Sequence, residues 1–147
     1  MLGANDGCAM AALYAATYPE RTRGLVLFMP AARHENADQL LADLPQLREG
    51  WGAQEYSDRM LAGSCPTLYA SEADRRWFAN WLRVGTSPAV AYALNRAWYE
   101  TDIREVLPAI RVPTLVLARR DSPLAPVELV REAAELIPGA RFAEIPG

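Results

Sequence analysis

Two glycines near the start of the chain, Gly3 and Gly7, flank Asn5 with the spacing Gly-x-Asn-x-Gly. This spacing is typical of a nucleophile elbow, a sharp turn that leads from a strand into a helix. We expect strained backbone geometry at the central residue, and glycines where a side chain two residues before or after it would clash. The stretch therefore predicts a strand, a tight turn at Asn5 and a helix whose positive end points at the turn.

The residues after the turn predict a helix followed by a buried strand. Residues 9–18 are rich in alanine and carry larger apolar side chains at helical spacing, and Pro19 ends that helix. Residues 25–29 form a short, continuous apolar run, which is typical of a strand in a parallel sheet. A helix between two such strands implies a right-handed crossover within one sheet.

The turn at residues 3–7, the alanine-rich helix and the segment Ala-Thr-Tyr-Pro-Glu-Arg-Thr-Arg-Gly-Leu-Val-Leu-Phe at residues 16–28 resemble the α/β-hydrolase fold. The phrase Ala-Thr-Tyr-Pro-Glu-Arg-Thr is most similar to the hydrolase-like domain found beside adenylate/guanylate cyclase domains in actinobacterial-type proteins. The resemblance implies an α/β architecture with parallel strands, flanking helices and a helical lid insertion. It also implies hydrolysis of an ester or similar acyl bond, with no metal or organic cofactor.

The resemblance covers only the C-terminal portion of that fold. Only Met1 and Leu2 precede the turn, so we expect a single, truncated domain. Its predicted parts are the turn, helix and strand at 1–29, the helical lid at 30–108, and a strand–helix–strand segment at 109–147. An uncovered sheet edge would favour self-association.

The lid is predicted from a change in pattern, because strand-like runs are absent between residues 30 and 107. We expect helices at 37–44, 54–61, 72–84, 88–100 and 102–107, with Ser71 and Ser87 as N-caps. Three of its tryptophans, Trp77, Trp81 and Trp98, are candidates for lining an apolar substrate pocket. The alternative is that these rings simply pack the helices, which is the commoner role of aromatic residues at helical spacing.

The last part of the chain predicts a strand at 111–118, an acidic loop, a helix at 127–137 and a final strand at 140–145. In the family that the chain resembles, the loop after the first of these strands carries the acid of a catalytic triad. The family pattern aligns Ser122 with that acid, while Asp121 stands one residue earlier and is a second candidate. The alternative for Asp121 is a solvated turn residue or a helix cap.

The other members of the implied triad are altered. Asn5 occupies the nucleophile position, and an amide cannot be activated by a neighbouring base. The backbone N–H of Asp6 would be one donor of the oxyanion hole. The resemblance places the catalytic histidine after the last strand, whereas His34, the one histidine of the sequence, follows an earlier strand. We expect His34 to be a surface or packing residue, and Cys8 to be a small buried side chain.

Composition excludes several other functions. The net charge is −3, and the basic residues are scattered, which does not favour nucleic acid as a partner. No apolar stretch reaches the roughly 18–20 residues that span a bilayer. The sequence shows no secretory leader, and its two cysteines do not form a disulfide framework. We therefore expect a cytoplasmic protein that is not inserted in a membrane.

Together these observations predict a hydrolase-fold protein whose activity is impaired, a pseudoenzyme with an apolar small molecule as its substrate or ligand. Three alternatives remain open from the sequence. The first is an active hydrolase that requires its missing segments from another chain or from a longer product. The second is a non-catalytic, small-molecule-binding or regulatory domain that associates with a cyclase domain. The third is a non-functional gene fragment.

Overall fold

The computed structural model describes residues 1–122 and 125–146. The chain divides into two compact units. The first, the sheet unit, comprises Met1–His34 and Thr101–Gly147, and the second, the helical unit, comprises Glu35–Glu100.

Four parallel strands form the sheet of the first unit. They are β1 (Leu2–Ala4), β2 (Leu25–Phe28), β3 (Thr114–Arg119) and β4 (Arg141–Ile145), in the spatial order β1-β2-β3-β4. This confirms the predicted parallel sheet. The third strand begins later than predicted, because Pro113 has no N–H for the ladder and only its carbonyl participates, accepting from the Leu25 N–H at 2.9 Å.

Helices α1 (Gly7–Thr17) and α7 (Val127–Glu135) connect the strands of this unit. The small side chains of α1 allow it to lie close to the sheet, and they share one buried core with residues of α7 and of the two central strands. Members of this core from these elements include Cys8, Ala11, Ala12, Ala15, Leu25, Leu27, Val116, Ala118, Val130, Ala133 and Ala134. The core therefore holds together segments that are distant in the sequence.

The helical unit consists of α2 (Ala37–Gly50), α3 (Gln54–Ser64), α4 (Pro66–Tyr69), α5 (Glu72–Gly85) and α6 (Pro88–Tyr99). Both predicted N-caps are confirmed. The Ser71 hydroxyl accepts from the Asp74 N–H, and the Ser87 hydroxyl from the Val90 N–H, each at 3.3 Å. All four helices that the sequence predicts within this unit are present, as α2, α3, α5 and α6, while α4 was not predicted.

Helix α2 is longer than the predicted helix at 37–44, because it continues through Pro45. Proline inside a helix removes one hydrogen bond and disfavours helix at that point. Leu44 and Leu47, on either side of the proline, are both buried with Ala91 of α6. We attribute the continuation to this packing.

The prediction of a helix at 102–107 was wrong. Its first residues form an irregular turn, and only a short 3-10 turn follows at Leu107–Ala109. The Asp102 carboxylate accepts from the Arg104 N–H at 3.1 Å, and the Ile103 N–H donates to the Ala32 carbonyl at 2.8 Å. Short polar side chains that bond the nearby backbone compete with helix in this way.

Among the described residues, no helix combines the length and the apolar character needed to cross a bilayer.

Candidate functional site

The residues that the sequence singled out around the triad follow strands of the sheet unit. Because all four strands are parallel, their carboxyl ends meet at one edge, which we call the carboxyl edge. The turn at Asn5 follows β1, and the segment with Asp121 and Ser122 follows β3. Loops at this edge of a parallel sheet are the usual position of binding and catalytic groups.

Asn5 lies in the turn between β1 and α1 with a φ of +48°. Asparagine tolerates this left-handed conformation better than most residues. The Asn5 N–H donates to the Phe28 carbonyl at 2.9 Å, which ties the turn to the end of β2. The Asn5 side chain is exposed, and it forms no hydrogen bond with any residue that the structure describes. An unengaged amide thus stands where a strand turns into a helix.

The two glycines of the motif have different roles. A Cβ at Gly3 would lie 2.8 Å from the Cα of Cys8 and 2.9 Å from the Cβ of Ala11, so β1 and α1 can approach only if this residue is glycine. A Cβ at Gly7 would meet no atom within 4 Å. The expectation that both positions exclude a side chain was therefore right for Gly3 and wrong for Gly7, which points into open space at the start of α1.

Asp6 caps α1. Its carboxylate accepts from the Gly7 N–H at 3.0 Å. Its own backbone N–H makes no hydrogen bond to another described residue, and the residue is exposed. This N–H is therefore available to a bound oxygen atom, as an oxyanion-hole donor must be.

Cys8 is buried, as predicted, with 1% of its surface exposed. Its thiol donates to the Phe28 carbonyl at 3.4 Å. Burial raises the pKa of this thiol to about 12, and the charge of Asp6 acts in the same direction. A thiol with such a pKa carries almost no thiolate at neutral pH, so Cys8 is not a nucleophile.

The two acid candidates follow β3 in the described part of its loop, since Pro123 and Leu124 lie outside the described residues. Asp121 is exposed, and Ser122 is half-buried with its N–H donating to the Arg119 carbonyl at 3.3 Å. Strand β2 separates β3 from β1, so the ends of these two strands are roughly 10 Å apart. The fold thus brings both candidates and Asn5 to one edge without making them neighbours.

His34 lies after β2, at the end of the first segment of the sheet unit. It is half-buried, and burial lowers its pKa below the ordinary value. A histidine with this environment is mostly neutral at pH 7, which fits the predicted packing role.

The three candidate tryptophans belong to the helical unit. Trp77 and Trp81 lie one turn apart on α5, are 58% and 52% exposed, and stack with ring centroids 6.3 Å apart. Trp98, on α6, is half-buried and stacks on Tyr99 at 5.5 Å. The exposed pair contrasts with the expectation that such rings are commonly core residues.

Two features at the carboxyl edge were missed from the sequence. Met29, directly after β2, has a φ of +58°, and its sulfur accepts from the Arg119 N–H at 3.2 Å. The Nε atom of Arg119 is buried and has no hydrogen-bond partner among the described residues. The alternation along β3 places Arg119 on the face opposite Ala118, but no pattern indicates that its Nε is buried without a described partner. No sequence pattern indicates the left-handed backbone at Met29.

Comparison with known proteins places this geometry in context. No protein-family model matches the chain. The chain is 33% identical over 143 residues to the protein named "Putative carbamate hydrolase RutD" of Azorhizobium caulinodans; the match covers 86% of this chain and 49% of that protein. The chain thus spans about half the length of this curated relative.

Solved structures share the fold. An α/β-hydrolase enzyme, MGS-M2, from a Medee basin deep-sea metagenome library is 20% identical and superposes with a TM-score of 0.81, over 99% of this chain and 55% of that one. The enol-lactonase of Burkholderia xenovorans is 23% identical with a TM-score of 0.77, over 98% and 55%. Together with the parallel sheet and the turn at Asn5, these similarities establish that the chain has part of the α/β-hydrolase fold.

Proposed function

We propose that this protein is an acyl-hydrolase-type domain whose catalytic site is impaired at the nucleophile. The observation that carries the proposal is the exposed Asn5 in left-handed geometry at the β1–α1 turn. This turn has the strand–turn–helix context of a nucleophile elbow. The substrate class is an ester or related acyl compound, and the relative named as a carbamate hydrolase extends it to carbamates.

Each nearby residue has a role in this proposal. The free N–H of Asp6 would bind the developing oxyanion, and Asp121 or Ser122 would occupy the acid position. With Asn5 in place of a hydroxyl or thiol, no acyl-enzyme can form at the turn. Within the helical unit, Trp77, Trp81 and Trp98 are the candidates for contact with an apolar ligand.

The test is hydrolysis of p-nitrophenyl acetate and a p-nitrophenyl carbamate by Asn5→Ser beside the wild type. We expect the wild type to stay at the solution background. Asn5→Ser should exceed the background by on the order of tenfold. This gain is far below that of a complete enzyme, because no described residue forms a hydrogen bond with the side chain at position 5, and a positioned general base there would contribute about 10²–10⁴-fold. Ala4→Ser, an exposed neighbour on β1, is the matched control and should remain at background.

Circular dichroism is used to check that each variant is folded. A folded Asn5→Ser that shows no gain would contradict a site at the turn. Wild-type hydrolysis that persists in Asn5→Ala would place the chemistry elsewhere in the chain.

A second candidate function is binding without catalysis. The exposed, stacked rings of Trp77 and Trp81 favour it, because such pairs provide a flat apolar contact for a ligand. In this case the ligand would still be an apolar small molecule. Association with a cyclase domain, suggested by the sequence resemblance alone, belongs to this candidate.

A further inference from the structure

An open cavity lies within the helical unit, between α2 and α6. Its volume is about 410 Å³. Three residues of α2 and one residue of α6 line it: Pro45, Arg48, Glu49 and Tyr92. Cavities of roughly 300–1,000 Å³ are the ones that commonly hold small molecules. All four lining residues belong to the helical unit, so this cavity is formed by one unit alone and shares no residue with the carboxyl edge.

Arg48 and Glu49 bring two opposite charges to this cavity, and no described residue neutralises either of them. Both residues are exposed, and neither forms a salt bridge or a hydrogen bond through its side chain with a residue that the structure describes. They do not pair with each other, because adjacent residues of a helix point in directions about 100° apart. The cavity therefore presents a guanidinium group and a carboxylate that are both available to a ligand.

Three other arginines of the helical unit have an acidic partner one helical turn away. Arg59, Arg76 and Arg96 each bind a glutamate four residues along the chain, at 3.1, 2.8 and 2.8 Å. The positions three and four residues from Arg48 and from Glu49 all hold uncharged residues. Since only residues at this spacing are neighbours on a helix surface, α2 itself offers no partner to either charge. A group from outside the helix is needed to satisfy them.

Tyr92 and Pro45 supply rigid apolar surface beside the two charges. Tyr92 is half-buried and packs against the small core that α2 and α6 share, which holds its ring in place. Its hydroxyl forms no hydrogen bond with a described residue. The ring of Pro45 is fixed by its bond to the backbone. The cavity thus combines an aromatic wall with one positive and one negative group.

The two charges discriminate between ligands. A simple anion at Arg48 would be repelled by Glu49, and a simple cation at Glu49 would be repelled by Arg48. A molecule that carries both a carboxylate and an ammonium group satisfies both residues, and a guanidinium group suits a carboxylate because it can donate two parallel hydrogen bonds. An aromatic ring on the same molecule would stack on Tyr92.

We propose that this cavity binds an amino-acid zwitterion with an aromatic side chain. The carboxylate of the ligand lies on Arg48, its ammonium group on Glu49 and its ring against Tyr92. The inference goes beyond the acyl chemistry proposed above and does not rest on it, because that chemistry is assigned to the turn at Asn5.

The probes are three molecules that share a phenyl ring and differ in charge. L-phenylalanine carries both charges, 3-phenylpropionate lacks the ammonium group, and 2-phenylethylamine lacks the carboxylate. Each is titrated into the full chain at neutral pH by calorimetry, and amide NMR spectra show which residues respond. We expect L-phenylalanine to bind about fivefold more tightly than either other probe, since each of those loses one charge-assisted hydrogen bond in a partly exposed site. The largest spectral changes should fall on α2 and α6.

Matched variants assign the two charges. Arg48→Gln should weaken the binding of L-phenylalanine and make 2-phenylethylamine the tighter ligand, since Glu49 is then the only free charge on the cavity. Glu49→Gln should instead make 3-phenylpropionate the tighter ligand. Arg59→Gln removes an exposed arginine of α3 and is the control, which should leave all three affinities unchanged. Circular dichroism is used to check that each variant is folded, and a merely structural role of either residue would not reverse the order of the probes.

Three results would overturn the proposal. One is a folded wild-type chain that does not bind L-phenylalanine. Another is a wild-type chain that binds either singly charged probe as tightly as L-phenylalanine, which would show that the two charges do not select the ligand. The third is an order of the three affinities that Arg48→Gln and Glu49→Gln both leave unchanged, which would place the ligand elsewhere. None of these results bears on the hydrolysis test at Asn5, so the two proposals fail independently.

Discussion

Gly3 determines how closely the first strand and helix can approach. A Cβ at this position would lie within 3 Å of the backbone of α1, which cannot move aside as a flexible side chain can. We expect Gly3→Ala to lower the free energy of unfolding by about 1–3 kcal/mol, the usual cost of overpacking. Gly7→Ala is the matched control and should be neutral or stabilising by up to about 1 kcal/mol, since alanine is the better helix former.

Urea unfolding followed by circular dichroism measures both glycine variants. Equal losses for Gly3→Ala and Gly7→Ala would show that the close contact at Gly3 does not limit the packing of α1 on the sheet.

The turn residues also show how far single positions can be predicted. The left-handed geometry at Asn5 and the burial of Cys8 follow from local spacing and residue type, so the sequence indicates both. The freedom at Gly7 and the unpartnered Nε of Arg119 depend on which atoms of other segments come near. Such contacts are tertiary, and no local pattern encodes them.

Helix α5 depends on its first turn, where the Ser71 hydroxyl accepts from the Asp74 N–H. Without this acceptor, one of the free N–H groups at the helix start loses its partner. We expect Ser71→Ala to lower the free energy of unfolding by about 1 kcal/mol, whereas Ser71→Asp retains an acceptor and should stay close to wild type. Urea unfolding detected by tryptophan fluorescence reports on this helix, which carries Trp77 and Trp81. A Ser71→Ala variant as stable as Ser71→Asp would contradict a stabilising cap.

Some features of the helices follow from local helix propensity, and others follow from tertiary packing. Caps at Ser71 and Ser87 are local, and the sequence predicted both. Helix α2 passes through Pro45 although proline predicts an end there, since Leu44 and Leu47 are buried against α6. For the segment after Thr101 the prediction was wrong in the opposite sense, because hydrogen bonds from a side chain and from a distant segment to the backbone replace the predicted helix.

The division into two units follows the change in sequence pattern, with strands on either side of a purely helical stretch. The parallel sheet was predictable because its strands are continuous apolar runs separated by a crossover helix or by the helical stretch. The half-buried positions that alternate with the core along β2 and β3, such as Val26 and Leu115, were not predicted, since the side of the sheet that α1 and α7 cover is known only from the three-dimensional arrangement.

His34 links the stability of the folded chain to pH. Burial lowers its pKa in the folded state, so the unfolded chain, with an ordinary value of about 6.5, binds the proton more tightly. Stability should be fully retained above that value and should fall as the pH drops below it towards the folded-state pKa, because protons then favour the unfolded chain. We expect His34→Gln to flatten this decline. Unfolding free energies of both proteins between about pH 5 and pH 8 test it, since histidine is the side chain that ordinarily titrates there. Parallel curves for the two proteins would show that the pKa of His34 is the same in the folded and unfolded chain. A steeper decline in His34→Gln would mean that the folded wild-type chain binds the proton of His34 more tightly than the unfolded chain.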